Sequence, residues 1–260
     1  MSGPQAGAAL FAVCLVHSWA NSATHVLYPH EQIYSSGFSL LTRRPTGLGL
    51  AVTLLGTPLF IYACWAFFSA PLPLAWAGLL LGMMAGVRQL ERRVWHDDIV
   101  VKLGKYVPAA AALLGHSLAR GALLLLDRAP AEAEAAGWEA ACGVLGGAFF
   151  LAGLAKLRES GFDWVRARHQ ALLIAERAYS GAPALRWLRR RVAATPWLCL
   201  AAGLYGFYGE FLGLLFAFSW ARWPVAVFSV ALQIGITVLL GYVELEWLLI
   251  LIALALLSGA

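Results

Sequence analysis

The sequence predicts an all-α fold: a polytopic integral membrane helix bundle of about seven spans with one interfacial amphipathic helix. Three observations carry this. The 260 residues are 61% hydrophobic and 13% charged, with mean hydropathy +0.72, whereas a soluble chain is about half apolar and about a quarter charged. Several runs reach the roughly 20 apolar residues that a spanning helix needs. The charged residues gather in loops whose sign alternates along the chain.

The elements follow in order. Residues 7–16 are apolar but short for a span, and the polar, aromatic stretch after them makes 1–42 an expected interfacial segment. Spans are expected at about 46–70, 74–90, 106–126, 138–157, 195–219, 224–241 and 243–258. Pro71 and Pro73 turn the first into the second. Residues 88–105 hold five Lys/Arg, and 127–139 form an acidic loop with four acids and one Arg. Residues 158–191 hold eight Arg. The positive-inside rule places 88–105 and 158–191 in the cytoplasm, and Arg43 and Arg44 agree. Seven spans put the C-terminus outside; insertion of residues 7–20 adds an eighth element and moves the N-terminus outside, and both arrangements stay open. The whole of 1–260 reads as one transmembrane domain, with 158–192 as a basic amphipathic loop. Within it, residues 162–179 place Phe162, Val165, His169, Leu172, Leu173 and Tyr179 on one stripe, as a helix lying on the membrane plane with arginines toward lipid phosphates. The plainer alternative is a solvated loop that only sets topology. RWLRRR at 186–191 adds to the same surface.

Cys14, Cys64, Cys142 and Cys199 lie in apolar runs and form no CxxC pair, so the expectation is four small buried hydrophobes. The N-terminus lacks a basic region ahead of its apolar stretch, so no cleaved signal peptide is expected. His17, His25, His30, His96 and His169 are scattered, and no metal site is predicted. The net charge of +5 sits in two loops, which argues for contact with anionic lipid and against nucleic acid. No nucleotide loop, nucleophile elbow or dinucleotide fingerprint is present. Paired broken helices and repeats, which would suggest a transporter, are not visible.

Polar groups inside spans are the candidate functional residues, because a charge at the bilayer centre costs about 2.5–3.5 kcal/mol on insertion scales. His116 and Arg120 are four apart on one helix face. Glu210 and Gln233 sit mid-span in later helices. Pairing Arg120 with Glu210 removes two lone charges at once and is the simplest structural expectation. The alternative is that these groups line a cavity for a polar ligand head. Lys156 closes a long apolar run. It either snorkels to the headgroups or, in a dry pocket, works as a base.

The run FFLAGLAKLRESGFDWV resembles a signature of the HTTM membrane domain, shared by vitamin K-dependent gamma-glutamyl carboxylases and bacterial relatives. Phe150, Ala152, Gly153, Lys156, Leu157 and Trp164 carry the resemblance. DoxX-like and MauE-like membrane proteins have a shorter relative of the motif. The order of features extends the likeness over most of the chain: LLLLD ends at Asp127, and Glu210 lies in a late helix. Trp95, His96, Asp97 and Asp98 match a Trp-Asn-Asn-His-type loop loosely, and Gln233 stands near where the family often has a His.

The resemblance implies a quinone or quinol cofactor of the vitamin K kind. It implies Lys156 as the base that deprotonates it, with His116, Arg120, Glu210, Gln233 and His96 around the quinone head. The expected activity is quinol-linked oxidoreductase or carboxylase-like chemistry in a multi-pass protein of a bacterial inner membrane. The other expectation is a non-enzymatic anchor or maturation partner of a secreted or redox protein, with a protein or peptide partner besides membrane lipid. It rests on those departures and on the expected lack of the carboxylases' large soluble domain.

Overall fold

The structure is a computed structural model that describes residues 2–27, 46–94, 108–179, 183–241 and 245–259. Every regular element among them is a helix. Six helices among the described residues are long and apolar enough to cross a membrane: Gly3–Leu27, Gly47–Ser69, Pro108–Leu125, Pro130–Val165, Pro196–Ala217 and Ser219–Leu240. They fit a multi-pass integral membrane protein in a lipid environment. The chain divides into two compact units, residues 1–141 and 142–260.

The first unit begins with α1 (Gly3–Leu27). Of the segment 1–42, the described part is helical from Gly3 to Leu27, long and apolar enough to cross a membrane, which fits the arrangement in which the N-terminal residues also insert. The polar residues that interrupt the apolar pattern are accommodated. Ser18 and Ser22 are buried on the inner face, and Thr24 Oγ1 donates back to the Ala20 carbonyl. Thr46 then caps α2 (Gly47–Ala51): its Oγ1 accepts from the Gly49 amide and donates to the Val26 carbonyl, which fixes α2 to the end of α1. A π turn over Val52–Gly56 joins α2 to α3 (Thr57–Ser69). Trp19 of α1 stacks on Phe60 at 4.8 Å and donates to Thr57 Oγ1 at 3.0 Å.

The next helix, α4 (Pro73–Val94), runs past the expected span end, so RQLERRV is helical rather than loop. It is not among the six spanning helices, and Arg88, Glu91, Arg92 and Arg93 lie in its last turns. Glu91 is fully buried there and accepts from His25 Nδ1 of α1 at 2.6 Å and from Arg88 at 2.9 Å. Burial alone would raise the pKa of this carboxyl, but the bonds from His25 and Arg88 outweigh it and hold Glu91 below the ordinary glutamate range. Then comes α5 (Pro108–Leu125). It ends through Asp127 in the left-handed region at φ 56, which Asp tolerates better than most residues.

The next helix, α6 (Pro130–Ser160), contributes residues to both units, with the division falling at Ala141–Cys142. It starts eight residues before the expected span, so most of the acidic segment is helix. A proline in the first turn followed by Glu132 and Glu134 is a helix start on physical grounds. At 31 residues it is about 46 Å long, more than an about 30 Å hydrocarbon core requires.

In the second unit a 3-10 turn, Gly161–Val165, leads to α7 (Ala167–Arg177) and then α8 (Pro183–Ala193). The expected single amphipathic helix over 162–179 is thus broken, with Gly161 at φ 57 starting the turn and Arg166 extended. Next come α9 (Pro196–Leu212), two short 3-10 turns, α10 (Arg222–Leu240) and α11 (Leu245–Leu257). The described part of the last expected span, α11, has 13 residues and is not among the six. Arg189 pins α8 in place. It is buried, and it donates to the Val238 carbonyl in the last turn of α10 and to the Arg177 carbonyl at the end of α7. One guanidinium therefore satisfies orphan carbonyls of two helix C-termini. His30, His96, Trp95, Asp97, Asp98, Arg43 and Arg44 lie outside the described residues.

Candidate functional site

The second unit carries the better-formed site. Phe150, Gly153 and Lys156 recur at intervals of three on α6 and so share a face toward α9. Phe150 meets Phe211 edge-on at 5.6 Å, and Gly153 lies so close to the Phe211 ring that an added Cβ would come within 3.0 Å of it. This packing sets Lys156 opposite Glu210, one residue before Phe211. Lys156 Nζ donates to Glu210 Oε1 at 2.5 Å. The side chains are 28% and 15% exposed, so the pair is neither freely solvated nor sealed. The Nζ also stands 4.8 Å from the centre of the Trp164 ring. Lys156 and Trp164, eight apart in sequence, meet because the 3-10 turn after α6 folds the chain back.

Beside this pair lies a cavity of about 230 Å³. Its wall is mostly apolar, built by Ile174 of α7, Phe207 of α9, and Leu232, Ile236, Leu239 and Leu240 of α10. The polar groups on it are few: Lys156, Glu210, Gln170, Tyr205 and Trp164. Gln170 is buried and donates to the Trp164 carbonyl at 2.6 Å, which fixes the turn against α7. Tyr205 donates to the Phe228 carbonyl at 2.8 Å and ties α9 to α10. Gly203 allows the turn to sit directly on α9, since a Cβ there would lie 2.6 Å from the Trp164 carbonyl oxygen. The arrangement suits an apolar ligand with one polar end.

The first unit gathers a separate cluster. His116 of α5 is fully buried and donates from Nε2 to Glu134 Oε1 of α6 at 3.3 Å. Trp138 donates to the same oxygen at 2.8 Å. Arg120, one turn after His116, is ion-paired to Glu134 Oε2. The His116 ring packs against Trp138 at 4.1 Å and Phe67 at 5.6 Å. Gly137 makes the approach possible, because a Cβ there would lie 2.6 Å from His116 Cδ2. Three donors on one carboxylate make a clasp between α5 and α6.

These geometries correct the expected Arg120–Glu210 pair: Arg120 is bound to Glu134, and Glu210 to Lys156. Each charge has a nearer partner on a packed neighbouring helix. The structure brings together Lys156 and Glu210 in one unit, and His116 and Arg120 in the other. Gln233 is buried in α10, its Oε1 has no hydrogen-bond partner among the described residues, and its neighbours Leu232 and Gly235 face the cavity. The chain matches no family model, no curated protein and no solved structure.

Glu134, Gln170, Tyr205 and Glu91 are the residues that sequence reasoning missed. For Glu134 the signal was present, since the proline-led start of α6 puts Glu134 and Trp138 four apart on one face. Gln170 and Tyr205 carry no spacing signal; their roles come only from the way the chain folds back after Ser160. The remaining histidines among the described residues do not converge. His17 contacts Asn21, His25 binds Glu91, and His169 packs on Trp164 at 5.2 Å.

Proposed function

We propose that this chain is a multi-pass membrane protein of the HTTM, vitamin K-dependent carboxylase-like kind that takes the head of a quinol in the cavity of its second unit. Lys156 and Glu210 form its proton-transfer pair. The observation that carries this reading is the Lys156–Glu210 contact at 2.5 Å on the wall of an otherwise apolar cavity. A ring-sized head fits about 230 Å³, and its two oxygens are the polar ends that Lys156, Gln170 and Glu210 can meet. A quinone, when bound, supplies two-electron redox chemistry. The chain's part is to exclude water with the α10 wall, to orient the head, and to move one proton. Nζ gives its proton to Glu210 Oε1 across 2.5 Å and then accepts one from a ligand hydroxyl. Neither His116 nor Arg120 has a part in this step, since both are engaged by Glu134. The likeness of the Lys156–Trp164 run to the bacterial HTTM signature supports a bacterial inner membrane as its setting, where spanning helices rather than barrels are the rule.

The test is organic extraction and mass spectrometry of the purified protein beside its Lys156→Ala and Lys156→Arg variants. Wild type is expected to carry a quinone, and Lys156→Ala to lose most of it. Lys156→Arg keeps the charge and the pair but holds no transferable proton near neutral pH, so it retains ligand and loses turnover. Equal quinone content in wild type and Lys156→Ala would leave the pair as a structural clasp and shift attention to a protein partner.

A further inference from the structure

The proposed chemistry leaves α8 unused, yet its surface is the most strongly patterned on the second unit. The helix, PALRWLRRRVA, has no acidic residue. Arg189 points inward, buried, and is spent on the two helix ends. At 100° per residue, Arg186, Arg190, Trp187 and Arg191 fall within an arc of about 140° on the other side. Trp187 is 61% exposed and Tyr179 78% exposed, which is costly in bulk water. Two cation–π contacts order this face: Arg190 lies 5.6 Å from the Tyr179 ring and Arg191 lies 5.7 Å from the Trp187 ring. Pro183, Arg186, Trp187 and Arg190 border a shallow cleft of about 300 Å³.

Chain length decides where this face sits. α8 ends at Ala193, and the spanning helix α9 begins at Pro196. Three residues reach at most about 10 Å, which is about one Debye length at 0.1 M salt. Arg189, in the second half of the helix, is also bonded to the Val238 carbonyl in the last turn of the spanning helix α10. The basic helix is therefore held within reach of the headgroup layer by its short link to α9 and by its bond to the end of α10. There, aromatic rings and guanidinium groups side by side suit the interface between acyl chain and phosphate.

We propose that the outer face of α8 binds the phosphate headgroup of an anionic phospholipid, with Arg186 and Arg190 taking the phosphate oxygens and Trp187 lying along the glycerol and upper acyl region. Guanidinium pairs hold phosphate by parallel N–H donors, which suits a cleft flanked by two arginines one turn apart. The buried Arg189 keeps the helix fixed, so the cleft exists before the lipid arrives.

The experiment is native mass spectrometry of the full chain in detergent, titrated with phosphatidylglycerol or phosphatidylcholine, for wild type, Trp187→Ala and the double variant Arg186→Gln with Arg190→Gln. Wild type is expected to retain phosphatidylglycerol in preference to phosphatidylcholine. The double variant should bind phosphatidylglycerol about thirtyfold more weakly, at about fivefold per arginine. Trp187→Ala should weaken retention of both lipids. Trp187 and Arg190 are exposed and Arg186 is partly exposed, so the variants should unfold close to the wild-type temperature, and any quinone in the Lys156 cavity should be unchanged. Equal affinity of wild type for the two lipids would overturn the proposal, as would wild-type affinity in the double variant. Displacement of the lipid by an excess of inorganic phosphate alone would reassign the cleft to the free anion. A tightly held acidic protein in place of lipid would reassign it to a protein interface.

Discussion

At the scale of single residues, Lys156 is paired with Glu210 and Arg120 with Glu134, each with a near neighbour on a packed helix. Lys156 and Glu210 are partly shielded, so their attraction is stronger than that of a surface pair, and losing one member strands the other. Glu210→Leu alone is expected to destabilise by about 1–3 kcal/mol, and Lys156→Met alone by a similar amount. The double variant should recover most of that loss, because an apolar pair fits a wall already built by Phe207, Leu232 and Ile236. Thermal unfolding of the four proteins in one detergent measures the coupling. Simple additivity of the two losses would show that the pair contributes little to the fold. The lysine was legible in the sequence because a charge ending an apolar run needs a reason. Its partner was not. Opposite charges can be matched on paper in several ways, and matching Arg120 with Glu210 removes two lone charges at once without saying which partner is near. The distances that decide among these matches arise when Gly153 meets Phe211 and Gly137 meets His116.

At the scale of elements, helix ends decide more than helix centres. The apolar middles of α3, α5, α6, α9 and α10 were readable from hydropathy, which is why five of the six spanning helices fall on expected spans. The first was obscured by His17, Ser18, Asn21 and Ser22, whose polarity is absorbed by burial and by bonds within the helix. The end of α4 shows the same physics with charge. Glu91 is buried there and held ionised by His25 and Arg88. Its folded pKa lies below the value in the unfolded chain. The stabilisation is therefore complete above the ordinary glutamate range and is lost as pH falls through the folded value. Unfolding temperatures followed from neutral to acid pH should decline for wild type, and the decline should be shallower for Glu91→Gln. That variant should also be less stable than wild type at neutral pH, where the carboxylate bonds are intact. Parallel curves for the two proteins would mean that Glu91 does not link the fold to pH.

At the scale of the whole molecule, the open question is which face of the membrane the basic helices occupy. The charge rule places residues 158–191 in the cytoplasm and the α5–α6 turn outside. The two readings of the basic segment, setting topology and binding phosphate, are compatible only if that face carries anionic lipid, as a cytoplasmic leaflet does. The four native cysteines are all buried, so they can be replaced without removing any surface feature. In such a background, Arg128→Cys marks the α5–α6 turn, and Glu176→Cys marks α7; both positions are exposed. A membrane-impermeant maleimide added to intact cells should label the first and not the second, and permeabilisation should expose the second. The reverse pattern would turn the Lys156 cavity to the opposite face. The eight arginines would then have failed to set topology, and α8 would have to find its anionic headgroups on the outer leaflet.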